Sequence, residues 1–501
     1  MPPTSSLNEL GSAPVHEPDG KAAATNVAEH DASFVASLIV RARAAQHRYE
    51  QWDQQAVDEA VTAAAWAIVA PQRNRALAEL AVAATGLGNV ADKIAKNRHK
   101  TMGLLRDLQG ARSVGVIARE PERGLVEIAR PVGVVAAITP STNPGATPAN
   151  NIINALKGRN AIILAPSPKG QSTLTLLLEF VHAELDRIGA PRDLVQQLPA
   201  PVSRGMTREL MRQADMVLAT GSRNNVRAAY SSGTPALGVG VGNVVVIVDE
   251  TADIVAAADR VARSKTFDNA TSCSSENSLV IVDSVYDAML RALTAQHGAL
   301  LTLEETVQLQ TAMFPNGKLS AAMVAKPAPE IVRVAKLTRP ALQSARFLMV
   351  AQDDVGAQHP FSGEKLSPVL AVYRVADFAA AAALAAQVLQ FEGAGHSVGL
   401  HSALPERAVA LGETLPVCRV IVNQAHCIAT GGNYDNALPF SLSMGCGSWG
   451  GNSFSDNFNY RHLLNITRVV APLAPEHVRE PTEDELFGAY HRKFNGAPGH
   501  E

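Results

Sequence analysis

Apolar positions along this chain change their period near residue 124. Between 32 and about 108 they recur at helical spacing, as in Phe34, Leu38 and Ile39 and again in Ala78, Leu80, Ala81 and Ala84, which predicts a set of helices. From Gly124 onward short β-rich runs alternate with helical ones. The run 132–139 predicts a buried parallel strand and 146–157 a helix. Further strands at 161–164, 194–198 and 216–219 alternate with helices at 172–188, 206–213 and 225–231. Strand and helix at this rhythm predict an α/β fold with a doubly wound, Rossmann-like domain.

A strand at 244–248 and a helix at 252–266 lead into the segment FDNATSC, which ends at Cys273. A strand at 278–282 and a helix at 285–297 follow. The pattern predicts a second α/β unit from about 249 to the glycine-rich run at 445–451. The division is then a mobile tail over 1–30, helices and a dinucleotide-binding domain over 31–248, a catalytic domain over 249–450, and a C-terminal segment and tail over 451–501. Strand character returns at 460–470, and no internal repeat is visible.

Composition narrows the class. Of 501 residues 47% are hydrophobic and 18% charged, and 44 Lys and Arg against 47 Asp and Glu leave a net charge of -3. No basic surface for nucleic acid is expected from that balance. The N-terminus lacks the basic start and apolar core of a secretion signal, and no apolar run reaches membrane-spanning length. Four cysteines (273, 418, 427 and 446), none in a CxxC pair, fit neither a disulfide framework nor a zinc site. A soluble cytoplasmic protein without bound metal is expected.

Cys273 stands between a polar segment and an apolar strand, surrounded by Asn269, Thr271, Ser272, Ser274, Ser275 and Asn277. A sulfur in such a turn can face a cleft, with backbone N–H groups near it to stabilise negative charge. Free cysteines are more often small buried hydrophobes. That description fits Cys418 in LPVCRVIV and Cys446 in a GCG loop, while Cys427 has no clear place.

FDNATSCSSENSLVIV resembles the nucleophile segment of the CoA-acylating branch of the aldehyde dehydrogenase superfamily. GCGSWGGNSFSDNFNYRHLLNITRV resembles that branch's C-terminal signature, with FSGEKLSPVLAVYRV and AAYSSGTPALGVGVGN in family order. The resemblance implies the aldehyde dehydrogenase fold: a Rossmann-like cofactor domain, an α/β catalytic domain and a small β oligomerisation element, in a homodimer or homotetramer. It implies Cys273 as nucleophile, NADP or NAD as oxidant, and coenzyme A as co-substrate beside a small aldehyde.

Other positions acquire roles by the same resemblance. Asn143 is the side-chain amide on offer to the thiohemiacetal oxygen, with Thr142 in a neighbouring slot. His396 is the candidate to assist the CoA thiol. Glu364 matches a glutamate that contacts the nicotinamide ribose.

Thr139 ends the first predicted strand, and Pro166, Ser167 and Lys169 follow the second, where an adenosine ribose is held in such folds. Lys169 without a nearby acid favours NADP over NAD, and Gly221, Ser222 and Arg223 open a helix near the same ligand. Gly240 and Gly242 belong to GVGVG, whose spacing is not GxGxxG and which precedes a strand rather than a helix. By resemblance this loop approaches the nicotinamide and the catalytic cleft.

Hydrolytic relatives carry a general-base glutamate in that loop, whereas here no carboxylate lies between Tyr230 and Asp249. A thioester at Cys273 is then free to wait for CoA, which disfavours hydrolysis to a free acid. The loop 430–436 is polar, and with 439–468 it resembles the sulfoacetaldehyde-oxidising members of the branch. A short polar aldehyde is the expected substrate, with Asn433, Tyr434 and Asn436 as donors to a sulfonate.

Overall fold

Short apolar runs bounded by turns become strands here, and burial on both faces makes those strands parallel. In the computed structural model, which describes residues 19–494, fifteen strands are seen: β1 (Gly115–Glu120), β2 (Leu125–Pro131), β3 (Val134–Thr139), β4 (Ala161–Pro166), β5 (Val195–Gln197), β6 (Met216–Thr220), β7 (Ala236–Val239), β8 (Val244–Val248), β9 (Glu276–Val282), β10 (Gly298–Leu300), β11 (Phe347–Ala351), β12 (Val369–Val375), β13 (Val398–His401), β14 (Val420–Val422) and β15 (Leu464–Val470). They form three sheets. A five-stranded parallel sheet has the order β5-β4-β3-β6-β7, and a seven-stranded parallel sheet has the order β10-β11-β12-β9-β8-β13-β14. The third is antiparallel, β1-β2-β15.

Every residue of β3, β4, β8 and β9 is buried. Helix Ala146–Lys157 is buried along its whole length, and the helices Gln54–Val69 and Gln171–Arg187 belong to the same apolar core as β3 and β4. A buried Val or Ile side chain contributes about 1.5–3 kcal/mol, so these runs anchor the sheets on which the loops stand.

Two parts of the expected division change. β8 was assigned to the first unit, but it pairs with β9 and β13 in the seven-stranded sheet. The crossing between the sheets therefore lies in 240–243, not at 249, because an all-apolar run such as VVVIV carries no local mark of its sheet. The antiparallel sheet likewise draws two of its strands from 115–131, far in sequence from 451–501. The mobile tail expected over 1–30 lies outside the described residues up to 18, and from Asp19 to Tyr49 the chain is helical.

The chain leaves β3 toward β4 on one side and returns as β6 on the other. Loops after β3 and β6 thus open at a switch point on the carboxyl edge of the five-stranded sheet, where ligands gather in doubly wound folds. Gly242, Cys273, Glu364 and His396 instead precede β8, β9, β12 and β13, at the amino edge of the seven-stranded sheet.

Candidate active site

The turn that presents the cysteine is strained and held by charge. After helix Ile254–Thr266, three consecutive non-glycine residues adopt left-handed backbone: Asp268 (φ 50°), Asn269 (φ 51°) and Ala270 (φ 58°). Each costs roughly 1–2 kcal/mol, so the surroundings must hold the turn. Asp268 provides the hold. Its carboxylate accepts hydrogen bonds from Lys96 Nζ at 2.6 Å, Lys93 Nζ at 3.1 Å and Thr271 Oγ1 at 2.7 Å, and its N–H donates to Asp92 at 2.7 Å.

Gly88 lies so close that a Cβ there would stand 1.9 Å from Asp268 Oδ1. Burial alone would raise the Asp268 pKa, but Lys96 and Lys93 outweigh it and keep the carboxyl below its ordinary value. Asp268→Ala is expected to leave two buried ammonium groups unpaired. It should lower unfolding free energy by about 3–5 kcal/mol, read from the midpoint and slope of a urea titration. An unchanged midpoint would show that the turn holds itself.

Cys273 follows this turn and is partly exposed. Its Sγ lies 3.5 Å from His396 Nε2, and His396 Nδ1 is 2.7 Å from Ser397 Oγ. Burial, then Glu364 and Cys446, push the thiol up to about 12. Burial, then Arg419 and His426, hold His396 down to about 3. The resting pair is a thiol beside a neutral imidazole, which is able to accept a proton.

Glu364 is raised to about 8 by burial and then by Glu392. Below that value Glu364 stays largely neutral while the thiolate fraction of Cys273 grows with pH, so kcat/KM for the aldehyde should rise through pH 6–8. Protonation of His396 should produce no acid limb in that range, because its pKa lies well below it. Above pH 8 the rise should flatten as Glu364 ionises and opposes the thiolate, and Glu364→Gln should remove the flattening. A pH profile of both enzymes tests this, and a flat wild-type profile from 6 to 8 would reject it.

The glycines of GVGVG have a steric explanation. A Cβ on Gly242 would lie 2.1 Å from the Cys273 carbonyl oxygen, and one on Gly240 would lie 3.3 Å from Cys446 Sγ. These positions let the backbone pass against the nucleophile turn. The other cysteines are free: Cys446 is buried by this loop, Cys427 packs its sulfur on the Ser264 carbonyl at 3.2 Å, and Cys418 is half-buried just before β14.

Asn143, on the loop after β3, accepts a hydrogen bond from Lys96 Nζ at 2.8 Å through Oδ1. An ammonium only donates, so this bond fixes the amide's orientation and leaves Nδ2 as the donor. Lys96 belongs to helix Val90–Leu108, whose buried stripe is Lys93, Lys96, Asn97 and Lys100, at i, i+3, i+4 and i+7. The sequence reading treated this helix as part of a helical set and missed its role. The signal was present, since lysines at core spacing demand partners.

A cavity of about 330 Å³ opens between these elements, lined among others by Lys96, His99, Lys100, Asn143, Arg263, Phe267, Ser272 and Asn433. Of the three polar side chains expected to meet the substrate, only Asn433 lines it. Asn436 instead donates to Gln424 and to the Ala429 carbonyl, and Tyr434 lies exposed against His99 and Phe440.

Six of the expected cofactor residues lie at the five-stranded sheet, while Gly240, Gly242 and Glu364 lie beside the seven-stranded one. Thr139 and Pro166 are register partners at the ends of β3 and β4, and Ser167 and Lys169 follow directly. Gly221, at φ 150°, and Ser222, which caps helix Arg223–Tyr230, follow β6 on the other side of β3. Ser167 Oγ and Glu364 Oε1 are buried without a hydrogen-bond partner, as expected where polar atoms await a ligand. Arg223 turns toward Glu392, at 2.6 Å, and the same carboxylate accepts the Glu364 N–H at 2.8 Å. Among the described residues no helix is long and apolar enough to cross a membrane.

Comparison with known proteins agrees with this geometry. The Aldehyde dehydrogenase family matches residues 6–320. Sulfoacetaldehyde dehydrogenase (acylating) of Cupriavidus necator is 61% identical over 463 residues, 92% of this chain and 93% of its own. The protein of the same name from Bilophila wadsworthia is 40% identical over 92% of this chain and 99% of its own. The crystal structure of an acetylating aldehyde dehydrogenase from Geobacillus thermoglucosidasius superimposes with a TM-score of 0.85 at 35% identity, covering 91% of this chain and 99% of that one. Similarity of this extent, over nearly the whole chain and including the turn that carries Cys273, shows that the chain belongs to the aldehyde dehydrogenase family, in its acylating branch.

Proposed function

We propose that this enzyme oxidises sulfoacetaldehyde to sulfoacetyl-CoA through a thioester on Cys273, with NADP as the preferred hydride acceptor over NAD. The observation that carries the acyl-transfer reading is the pairing of Cys273 Sγ with His396 Nε2 at 3.5 Å in a site whose 231–248 segment offers no carboxylate to activate water. The extent of identity to the relatives named above supports the substrate.

Cys273 loses its proton toward His396 and attacks the aldehyde carbon. Asn143 Nδ2 and the Cys273 backbone N–H are placed to hold the resulting oxyanion. A nicotinamide dinucleotide held by Ser167, Gly221 and Ser222 would supply the hydride acceptor that turns the thiohemiacetal on Cys273 into a thioester. His396, having released the Cys273 proton to solvent, takes the proton of the CoA thiol as the CoA sulfur displaces Cys273, and passes it to the departing thiolate. Ser167, Gly221 and Ser222 fit a dinucleotide at the switch point. Exposed Lys169, with no acid beside it in sequence, favours a 2′-phosphate.

The antiparallel sheet leaves β15 as an exposed edge, with Val469 and Val470 open to solvent. This supports assembly as a homodimer or homotetramer, and four free thiols support a cytoplasmic setting.

Reduced-cofactor formation from sulfoacetaldehyde, with and without CoA and with NADP and NAD in parallel, tests the proposal. Strict CoA dependence with faster NADP reduction is expected. Sustained turnover without CoA would make the enzyme hydrolytic, and faster NAD reduction would reject the role given to Lys169.

A further inference from the structure

The cavity beside the nucleophile turn is lined by Lys96, His99, Lys100 and Arg263 and, among the described residues, by no carboxylate. Lys96 and Lys93 share Asp268. Lys100 has no such partner: its Nζ is buried and donates to three carbonyls, of Ile428 (3.1 Å), Gly431 (2.9 Å) and Gly432 (2.8 Å), and among the described residues no carboxylate pairs with it. Carbonyl dipoles satisfy its donors but bring no net negative charge. Burial pulls Lys100 down to about 7, and an anion in the cavity favours its charged form.

Two further groups share the same wall. Arg263, in the last turn of helix Ile254–Thr266, has only a 3.4 Å contact with exposed Asp259 among the described residues. His99 holds a buried Nε2 without a hydrogen-bond partner, its ring clasped edge-on by Tyr434 and Phe440. The carboxylate nearest His99, Asp435, accepts from Asn433 at 2.6 Å. Lys100, Arg263 and His99 all line the cavity that also reaches Ser272, next to the nucleophile, and Asn143.

We infer that Lys100, Arg263 and His99 form the subsite for the anionic head of the substrate, with Arg263 and His99 donating to the sulfonate oxygens and the Lys100 amino group, tied to its three carbonyls, standing behind them. The inference rests on the substrate reading above and assigns its specificity to residues outside the polar loop at 433–436. A guanidinium suits a multi-oxygen anion because its donors lie in one plane.

The test compares kcat/KM for sulfoacetaldehyde, succinic semialdehyde and neutral propionaldehyde in the wild type, Arg263→Met and Lys100→Met. Each substitution is expected to lower sulfoacetaldehyde turnover roughly ten- to hundredfold and leave propionaldehyde turnover within about threefold of wild type. Ethanesulfonate should compete with the aldehyde in the wild type and lose that competition in both variants. Because Lys100 also ties the 428–432 turn, propionaldehyde turnover serves as the check on its fold, and exposed Arg263 provides a variant free of that concern.

Variants that keep the wild-type ratio of sulfoacetaldehyde to propionaldehyde overturn the subsite and leave the substrate reading standing. A wild type that prefers succinic semialdehyde overturns the sulfonate assignment in favour of a carboxylate head. A wild type indifferent to the three aldehydes overturns both the subsite and the substrate reading.

Discussion

Cys273→Ser is expected to reduce aldehyde oxidation by at least about 10⁴-fold while leaving the fold and the affinity for oxidised cofactor unchanged. The site works against ionisation, since burial and then Glu364 and Cys446 push even the thiol up to about 12. A serine hydroxyl is a far weaker acid than a thiol, so the same surroundings leave almost no alkoxide. His396, held neutral, is the only imidazole among the described residues that contacts the sulfur, and it cannot offset that difference. The product side fails as well, because an oxygen ester is a poorer acyl donor to a thiol than a thioester. Stopped-flow measurement of hydride transfer, with cofactor binding followed by fluorescence, separates the two effects. Residual oxidation above about 1% of wild type would remove Cys273 from the role of nucleophile.

Asn143→Ala should lower kcat by about 10²–10³-fold with little change in KM. Nδ2 meets charge that develops only after attack, so its loss weakens the transition state more than the bound aldehyde. The orientation of that amide is set by Lys96, which donates to Oδ1 at 2.8 Å while anchored on Asp268 at 2.6 Å. Lys96→Met should therefore act through position and produce a smaller loss, on the order of tenfold. Steady-state kcat and KM at saturating cofactor distinguish these cases. An Asn143→Ala enzyme within about threefold of wild-type kcat would assign the oxyanion to backbone donors alone. Equal losses in the two variants would make Lys96 more than a positioning residue.

The parts of the site that were legible share one property: their signal is local. The run at 132–139 carried enough unbroken apolar character to announce β3, although the observed strand starts at Val134. FDNATSC stood out by its likeness to the family's nucleophile segment, a polar turn running into a strand that begins at Glu276. The reading of GVGVG as something other than a dinucleotide fingerprint also came from its immediate context, and the space Gly242 leaves beside Cys273 supplies the physical cause. The helix Val90–Leu108 was harder to interpret. Its lysines fall on the stripe that apolar residues normally occupy, and a burial pattern made of cations has meaning only once Asp268 and the 428–432 carbonyls are known to face it.

By itself the sequence determined the alternation of strands and helices, the likeness of the Cys273 segment to the family's nucleophile segment and the absence of a carboxylate in 231–248, because periodicity and residue type act over a few neighbours. Only the tertiary structure decided that β8 joins the second sheet, that His396 reaches a sulfur 123 residues away, and that two lysines of one N-terminal helix line the same cavity as Asn143, one of them bonded to it. Those outcomes depend on which surfaces exclude water together. Burial turns a distant carboxylate or imidazole into a strong partner, and no local pattern records which distant group will be buried beside it.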